Sequence, residues 1–142
     1  VVVDAVRMDG FLEAEFPTAT TVAAWLDVEG HTYGVMRGME GCAGRVKQLH
    51  VEEETQEIWP GQKLEPEVLS QAAELGFVLI ARGEDAVQRD LIFVERNWYE
   101  AHKRTVGRIL ALARRIGPTA SRVAETRCWQ RFLGPAAGHL WG

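Results

Sequence analysis

A strand-forming segment decides the fold, and it reads Gly44-Arg45-Val46-Lys47-Gln48-Leu49-His50-Val51-Glu52-Glu53. Its apolar residues Val46, Leu49 and Val51 reach one face of a strand only if one extra residue lies between the first two. The pattern therefore predicts a strand with a single β-bulge, and its apolar face is expected to lie on the core. The acidic run that follows, Glu52-Glu53-Glu54, is typical of a solvated turn.

Four glycines are expected to mark turns on either side of this strand. Gly44 precedes it, and Gly61 follows Pro60, where a type II turn needs the positive φ that glycine supplies. Gly83 and Gly117 interrupt the apolar pattern further along the chain and are expected to end helices there.

The chain divides into three regions by pattern. Residues 1–64 hold short runs of Val, Thr and aromatic residues between glycines, which predicts β structure. Residues 65–133 carry apolar residues at spacings of three and four, which predicts a helical hairpin with a long second arm and a short third helix. Residues 134–142 look like the start of another extended segment. The expected class is α+β.

Composition excludes several classes of protein. The chain has 142 residues, 46% of them hydrophobic, and a formal net charge of −4, so it is not collagen-like, low-complexity or disordered. The charge is unevenly distributed. Residues 1–95 hold 7 basic and 18 acidic residues (net −11), whereas residues 96–142 hold 9 and 2 (net +7), which together give the totals of 16 and 20. A basic C-terminal part invites a nucleic-acid hypothesis.

Four segments, in order along the chain, resemble one known family. The pattern Gly-x-Val-x-x-Leu-x-Val from Gly44, with Pro-Gly-Gln-x-Leu from Pro60, resembles a half-motif of the biotinyl/lipoyl-like barrel-sandwich fold. The run Glu65-Pro66-Glu67-Val68-Leu69 then resembles the first helix of the periplasmic adaptor (membrane fusion) proteins of RND-type heavy-metal efflux pumps. The segment 113–123 is similar to the end of the second helix in those adaptors, and residues 134–141 resemble the opening of their second half-motif.

This resemblance implies a non-enzymatic function. The protein would be a periplasmic transport adaptor, or a fragment of one, with a partial barrel-sandwich and a projecting helical hairpin. It would link an inner-membrane pump to an outer-membrane channel, with the hairpin tip near Gly83–Asp85 reaching the channel, and it would self-associate. No lysine occupies the tip at which biotinyl or lipoyl domains are modified, so no covalent cofactor is expected.

Three sulfur-containing residues form a candidate set of metal ligands. Met36, Met39 and Cys42 lie within seven residues, and thioether and thiolate ligands suit a soft metal ion such as Cu(I). Methionines that fill gaps in a core would explain the same spacing. Cys42 and Cys128 could form a disulfide in an oxidising compartment, or both could be free thiols.

Two alternatives to the adaptor remain open. Residues 109–128 match the apolar spacing of a helix-turn-helix, in which Arg114, Arg115, Arg122 and Arg127 would contact DNA in a cytoplasmic regulator. The third hypothesis is an oligomeric structural or assembly protein. In that case the basic and acidic parts of neighbouring copies would attract each other.

Overall fold

The structure, a computed structural model, describes residues 4–83 and 87–116. Helices and strands alternate along most of this length. In chain order the elements are α1 (Met8–Glu15), β1 (Val22–Leu26), α2 (Thr32–Arg37), a 3₁₀ turn (Ala43–Arg45), β2 (Val46–Glu54), α3 (Glu65–Glu74), β3 (Phe77–Arg82), β4 (Gln88–Glu95) and α4 (Arg96–Ile116).

The four strands form one open sheet in the order β1-β2-β4-β3. β1 and β2 are parallel and are joined through α2, whereas β4 pairs antiparallel with both β2 and β3. The register shifts between Val22, which pairs with Val46, and Ala23, which pairs with Gln48. Lys47 is therefore the extra residue, and the predicted β-bulge is confirmed.

The core lies on one face of this sheet. Val46, Leu49 and Val51 are fully buried there, as their spacing predicts. Leu91 and Phe93 of β4 lie in the same cluster, and α2 and α3 pack over that face. α3 begins as expected, with Pro66 in its first turn, where the missing N–H costs no helical hydrogen bond.

The α+β class is confirmed, but the predicted helical hairpin is wrong. Residues 77–82 and 88–95, which were expected in its two arms, are the antiparallel strands β3 and β4. In the described part of the first region, residues 4–64, α1 and α2 are helices where β structure was expected. The predicted segment 134–142 lies outside the described residues.

Two of the four expected turn glycines adopt turn positions between elements. Gly61 has a φ of 79°, as the turn after Pro60 requires, and Gly83 follows β3 directly. Gly44 instead lies inside the 3₁₀ turn. Gly117 is outside the described residues.

The chain divides into two compact units, residues 1–99 and residues 100–142. The first unit holds the sheet with α1, α2 and α3, and the described part of the second is α4 from Glu100 onward.

None of the helices in the described ranges combines the length and the apolar character that a membrane crossing requires.

Candidate functional site

The topology brings the ends of several strands together along one edge of the sheet, the edge that runs across the strand ends. The parallel strands β1 and β2 both end there, and the loops that follow them lead into α2 and α3. β3 ends and β4 begins at the same edge because they are antiparallel to each other. In open sheets, ligands commonly bind beyond the carboxyl ends of parallel strands. We call this edge of the sheet, with the loops 27–31 and 55–64, the acidic end.

Glu53 is the most unusual residue at the acidic end. Its side chain is only 1% exposed, and in the described part of the chain neither carboxylate oxygen has a hydrogen-bond partner. Burial raises the pKa of Glu53 to about 7, and the neighbouring Glu54 carboxylate contributes to the rise. The nearby Thr32 hydroxyl opposes part of this effect, although the hydrogen bond that it donates goes to the backbone carbonyl of Glu52 at 3.3 Å. A buried carboxyl without a partner is costly, so it favours either a bound proton or a bound cation.

A glutamine holds the loop 55–64 against β2. The Gln62 amide donates to a carboxylate oxygen of Glu54, which is also buried. The Gln62 carbonyl oxygen accepts the backbone N–H groups of Ile58 and Trp59 at 3.0 and 3.2 Å. The loop is therefore fixed, and both apolar side chains are exposed on it. Trp59 also contacts Gly30, which connects the two loops of the acidic end.

The positive charges nearby are already engaged. Glu65, the first residue of α3, is buried and forms ion pairs with Arg82 at 2.7 Å and with Arg89 at 3.1 Å. These two arginines come from the ends of β3 and β4. Because both are held by Glu65, no arginine or lysine among the described residues forms an ion pair with Glu53.

Four further carboxylates form an acidic patch: Asp27, Glu29, Glu52 and Asp90. Burial is the largest cause that raises the pKa of Glu52. The negative charges of Asp27, Asp90 and Glu29 raise this pKa further, which shows that the four carboxylates repel one another. Asp27 and Glu29 are exposed, and neither they nor Glu52 form an ion pair with any described residue. Such a surface favours a positively charged partner.

An aromatic stack borders the acidic patch. The His50 imidazole lies parallel to the Trp25 ring, with centroids 4.9 Å apart and planes 5° apart. His50 Nε2 also lies 2.8 Å from Asp90 Oδ1. Trp25 is 56% exposed, so its ring is accessible beside the carboxylates. An exposed indole next to an anionic surface can bind a lysine or arginine side chain through a cation–π contact.

The predicted soft-metal ligands lie in the core. Met36, Met39 and Cys42 are all buried in the hydrophobic cluster, where they fill space between α2 and the sheet. Burial raises the pKa of the Cys42 thiol, with Asp9 acting in the same direction, and this disfavours the thiolate that a metal would need. The soft-metal site stays a prediction. Cys128, and with it the possible disulfide, lies outside the described residues.

No cluster of three or more His, Cys, Asp or Glu side chains arranged for a metal ion occurs in residues 4–83 and 87–116.

The expectation of a solvated turn at Glu52-Glu53-Glu54 is wrong. All three residues belong to β2, and two of them are buried. The signal was present in the sequence, because Glu53 continues the alternation of Leu49 and Val51 on the core face of the strand. The run of three consecutive acidic residues indicated an exposed turn instead. Asp27, Trp25 and Asp90 were not recognised, because their proximity depends on the strand order.

Comparison with known proteins adds no relatives. The chain matches no protein-family model, no curated protein and no solved structure.

Proposed function

We propose that this chain is a non-enzymatic binding module whose acidic end binds a positively charged segment of a partner protein. The observation that carries the proposal is the excess of negative charge at this edge. Within the described residues, Asp27, Glu29 and Glu52 of the acidic patch form no ion pair, and their charges together with Asp90 act on one another.

Two other features support the same function. Trp25 is exposed beside the acidic patch, and Ile58 and Trp59 are exposed on the loop 55–64 of the acidic end, which gives apolar contacts that charge alone cannot supply. The surface is also preorganised, because Gln62 fixes the loop 55–64 through its three hydrogen bonds. A fixed loop loses little conformational freedom when a partner binds.

The proposal is tested by calorimetric titration with a short oligolysine peptide. We expect binding that weakens strongly between about 50 mM and 500 mM salt, because added ions screen exposed charges. The double variant Asp27→Asn/Glu52→Gln should weaken binding about tenfold or more. A matched control, Glu13→Gln/Glu74→Gln, removes two exposed carboxylates from α1 and from the far end of α3 and should bind as the native chain does. Equal affinity in both double variants would overturn the proposal.

The periplasmic adaptor remains a second hypothesis. It rests on the likeness of four segments to that family, beginning with the half-motif from Gly44 to Leu64. Parts of its two expected helical arms, residues 77–82 and 88–95, are instead the strands β3 and β4. The barrel-sandwich, the pump and channel partners and the periplasmic location stay predictions. Co-purification with an RND pump and its outer-membrane channel would support them.

The DNA-binding regulator also stays a prediction. Residues 109–116 lie in α4, as a helix-turn-helix requires of its first helix, and the rest of that motif lies outside the described residues. Exposed basic side chains on α4 favour an anionic partner. Titration with duplex DNA at two salt concentrations, with oligoglutamate as a competitor, distinguishes this hypothesis from protein binding.

A further inference from the structure

The described part of α4 carries the opposite charge to the acidic end. Lys103, Arg104 and Arg108 are exposed, and with 100° between successive residues they share one side of the helix. Val106, which is buried, lies on the opposite side. The exposed side chains of Lys103, Arg104 and Arg108 are here called the basic face.

We infer that the positively charged segment bound at the acidic end is the basic face of α4 from a second copy of this chain. This inference rests on the proposed function. Charge complementarity supports it, because residues 1–95 carry a net charge of −11 and residues 96–142 carry +7. Each copy therefore has one negatively charged and one positively charged surface. Its acidic end can bind α4 of one neighbouring copy while its own α4 is bound by another.

The contact joins two different surfaces, so it is heterologous. A heterologous contact repeats from copy to copy and produces either a closed ring or an open chain of copies. Lys103, Arg104 and Arg108 would face the carboxylates of the acidic patch. Trp25 lies beside that patch and is exposed, so it is placed to contact a basic side chain through its ring.

Two surface variants and a mixture test this arrangement by sedimentation velocity. The acid variant is Asp27→Asn/Glu29→Asn/Glu52→Gln, and the base variant is Lys103→Gln/Arg104→Gln/Arg108→Gln. A control, Arg37→Gln/Glu74→Gln, removes one exposed charge of each sign elsewhere. Circular dichroism and thermal unfolding confirm that each variant is folded before it is compared.

We expect the native chain and the control to form larger species at low salt and to dissociate at high salt. Each surface variant should self-associate at least about tenfold more weakly, because it retains only one functional surface. An equimolar mixture of the acid and base variants should form dimers of one copy of each and nothing larger. This result is specific to a heterologous contact.

The inference is overturned if the native chain stays monomeric at low salt, or if the mixed variants form no dimer. Titration with oligolysine separates this failure from failure of the proposed function. If oligolysine binds the acidic end and the copies remain monomeric, the inference is wrong and the proposed function stands. If oligolysine does not bind, the proposed function fails as well.

Discussion

Glu53 couples the stability of the fold to pH. Its carboxyl interacts electrostatically with Glu54 of its own strand, with Glu65 and Glu67 of α3 and with Thr32 of α2, and the two arginines nearby are paired with Glu65. Its pKa is raised from 4.5 to about 7, so the folded chain keeps a proton that the unfolded chain releases. This stabilises the protein fully below pH 4.5, and the contribution is lost as the pH rises through 7.

The substitution Glu53→Gln should remove this pH dependence, because the amide is neutral throughout. Relative to the native chain, the variant should gain about 3 kcal/mol of unfolding free energy between pH 4.5 and pH 8. Urea unfolding at several pH values measures this difference. The exposed control Glu74→Gln should follow the native profile. A constant difference between Glu53→Gln and the native chain would show that the carboxyl does not titrate in this range.

Gly30 is required at the contact between the two loops of the acidic end. It has a φ of 78°, and a Cβ placed on it would lie 2.5 Å from Cδ1 of Trp59. Gly30→Ala should therefore cost about 2 kcal/mol or more, since backbone strain is added to a steric clash. Gly61 is the matched control, because its φ is 79° and nothing lies within 4 Å of a Cβ there. Gly61→Ala should cost only about 1 kcal/mol. Equal losses in urea unfolding would contradict the clash.

Among the elements, α4 depends on the residue that precedes it. Glu95 ends β4, and its carboxylate accepts the backbone N–H groups of Asn97 and Trp98 at 2.9 Å each. Burial acts to raise its pKa, but these two hydrogen bonds and Lys47 outweigh it, so the pKa of Glu95 is lowered. The charged form is stabilised in the folded state. Its contribution is present above the usual pKa of 4.5 and is lost as the pH falls.

Glu95→Ala should destabilise the protein by about 1–2 kcal/mol at pH 7, because two N–H groups at the start of α4 lose their acceptor. The loss should shrink at pH 3, where the native carboxyl is protonated. Urea unfolding followed by circular dichroism measures both values. Glu100→Ala is the control, since this exposed residue pairs with Lys103 at 2.8 Å and should change stability by less than about 0.5 kcal/mol. A pH-independent loss for Glu95→Ala would contradict the role of its charge.

The sequence predicted β2 and α3 well and failed at β3 and β4. In β2, the bulge and the buried face follow from local alternation, and in α3 the position of Pro66 marks the start. In the segments 77–82 and 88–95, apolar residues also recur at spacings of three and four, which is the helical pattern. The runs Phe-Val-Leu-Ile and Leu-Ile-Phe-Val are rich in β-branched and aromatic residues on either side of a glycine-containing turn, and this favours a hairpin of strands. In these two segments the residue types indicate the true structure, and the spacing of the apolar residues does not.

At the scale of the whole molecule, the acidic end could not be derived from the sequence. Trp25, His50 and Asp90 come from β1, β2 and β4, and they meet because β2 lies between the other two strands. Strand order is a long-range property that single-segment patterns do not contain. The segregation of charge, by contrast, is readable from composition alone. What the structure adds is that the negative charge is concentrated at one edge of a sheet and that α4 exposes positive charge.

The boundary between the two compact units predicts which part of the chain folds alone. The core cluster extends from Leu12 to Phe93, so all of it lies within residues 1–99. A chain truncated after Tyr99 should therefore retain a cooperative urea transition. A chain truncated after Gly83 lacks β4, the strand that pairs with both β2 and β3, and it should show no cooperative transition. If the longer truncation unfolds gradually, the second unit must contribute to the folding of the first. The longer truncation should also still bind oligolysine and lose self-association, because it keeps the acidic end and lacks the basic face.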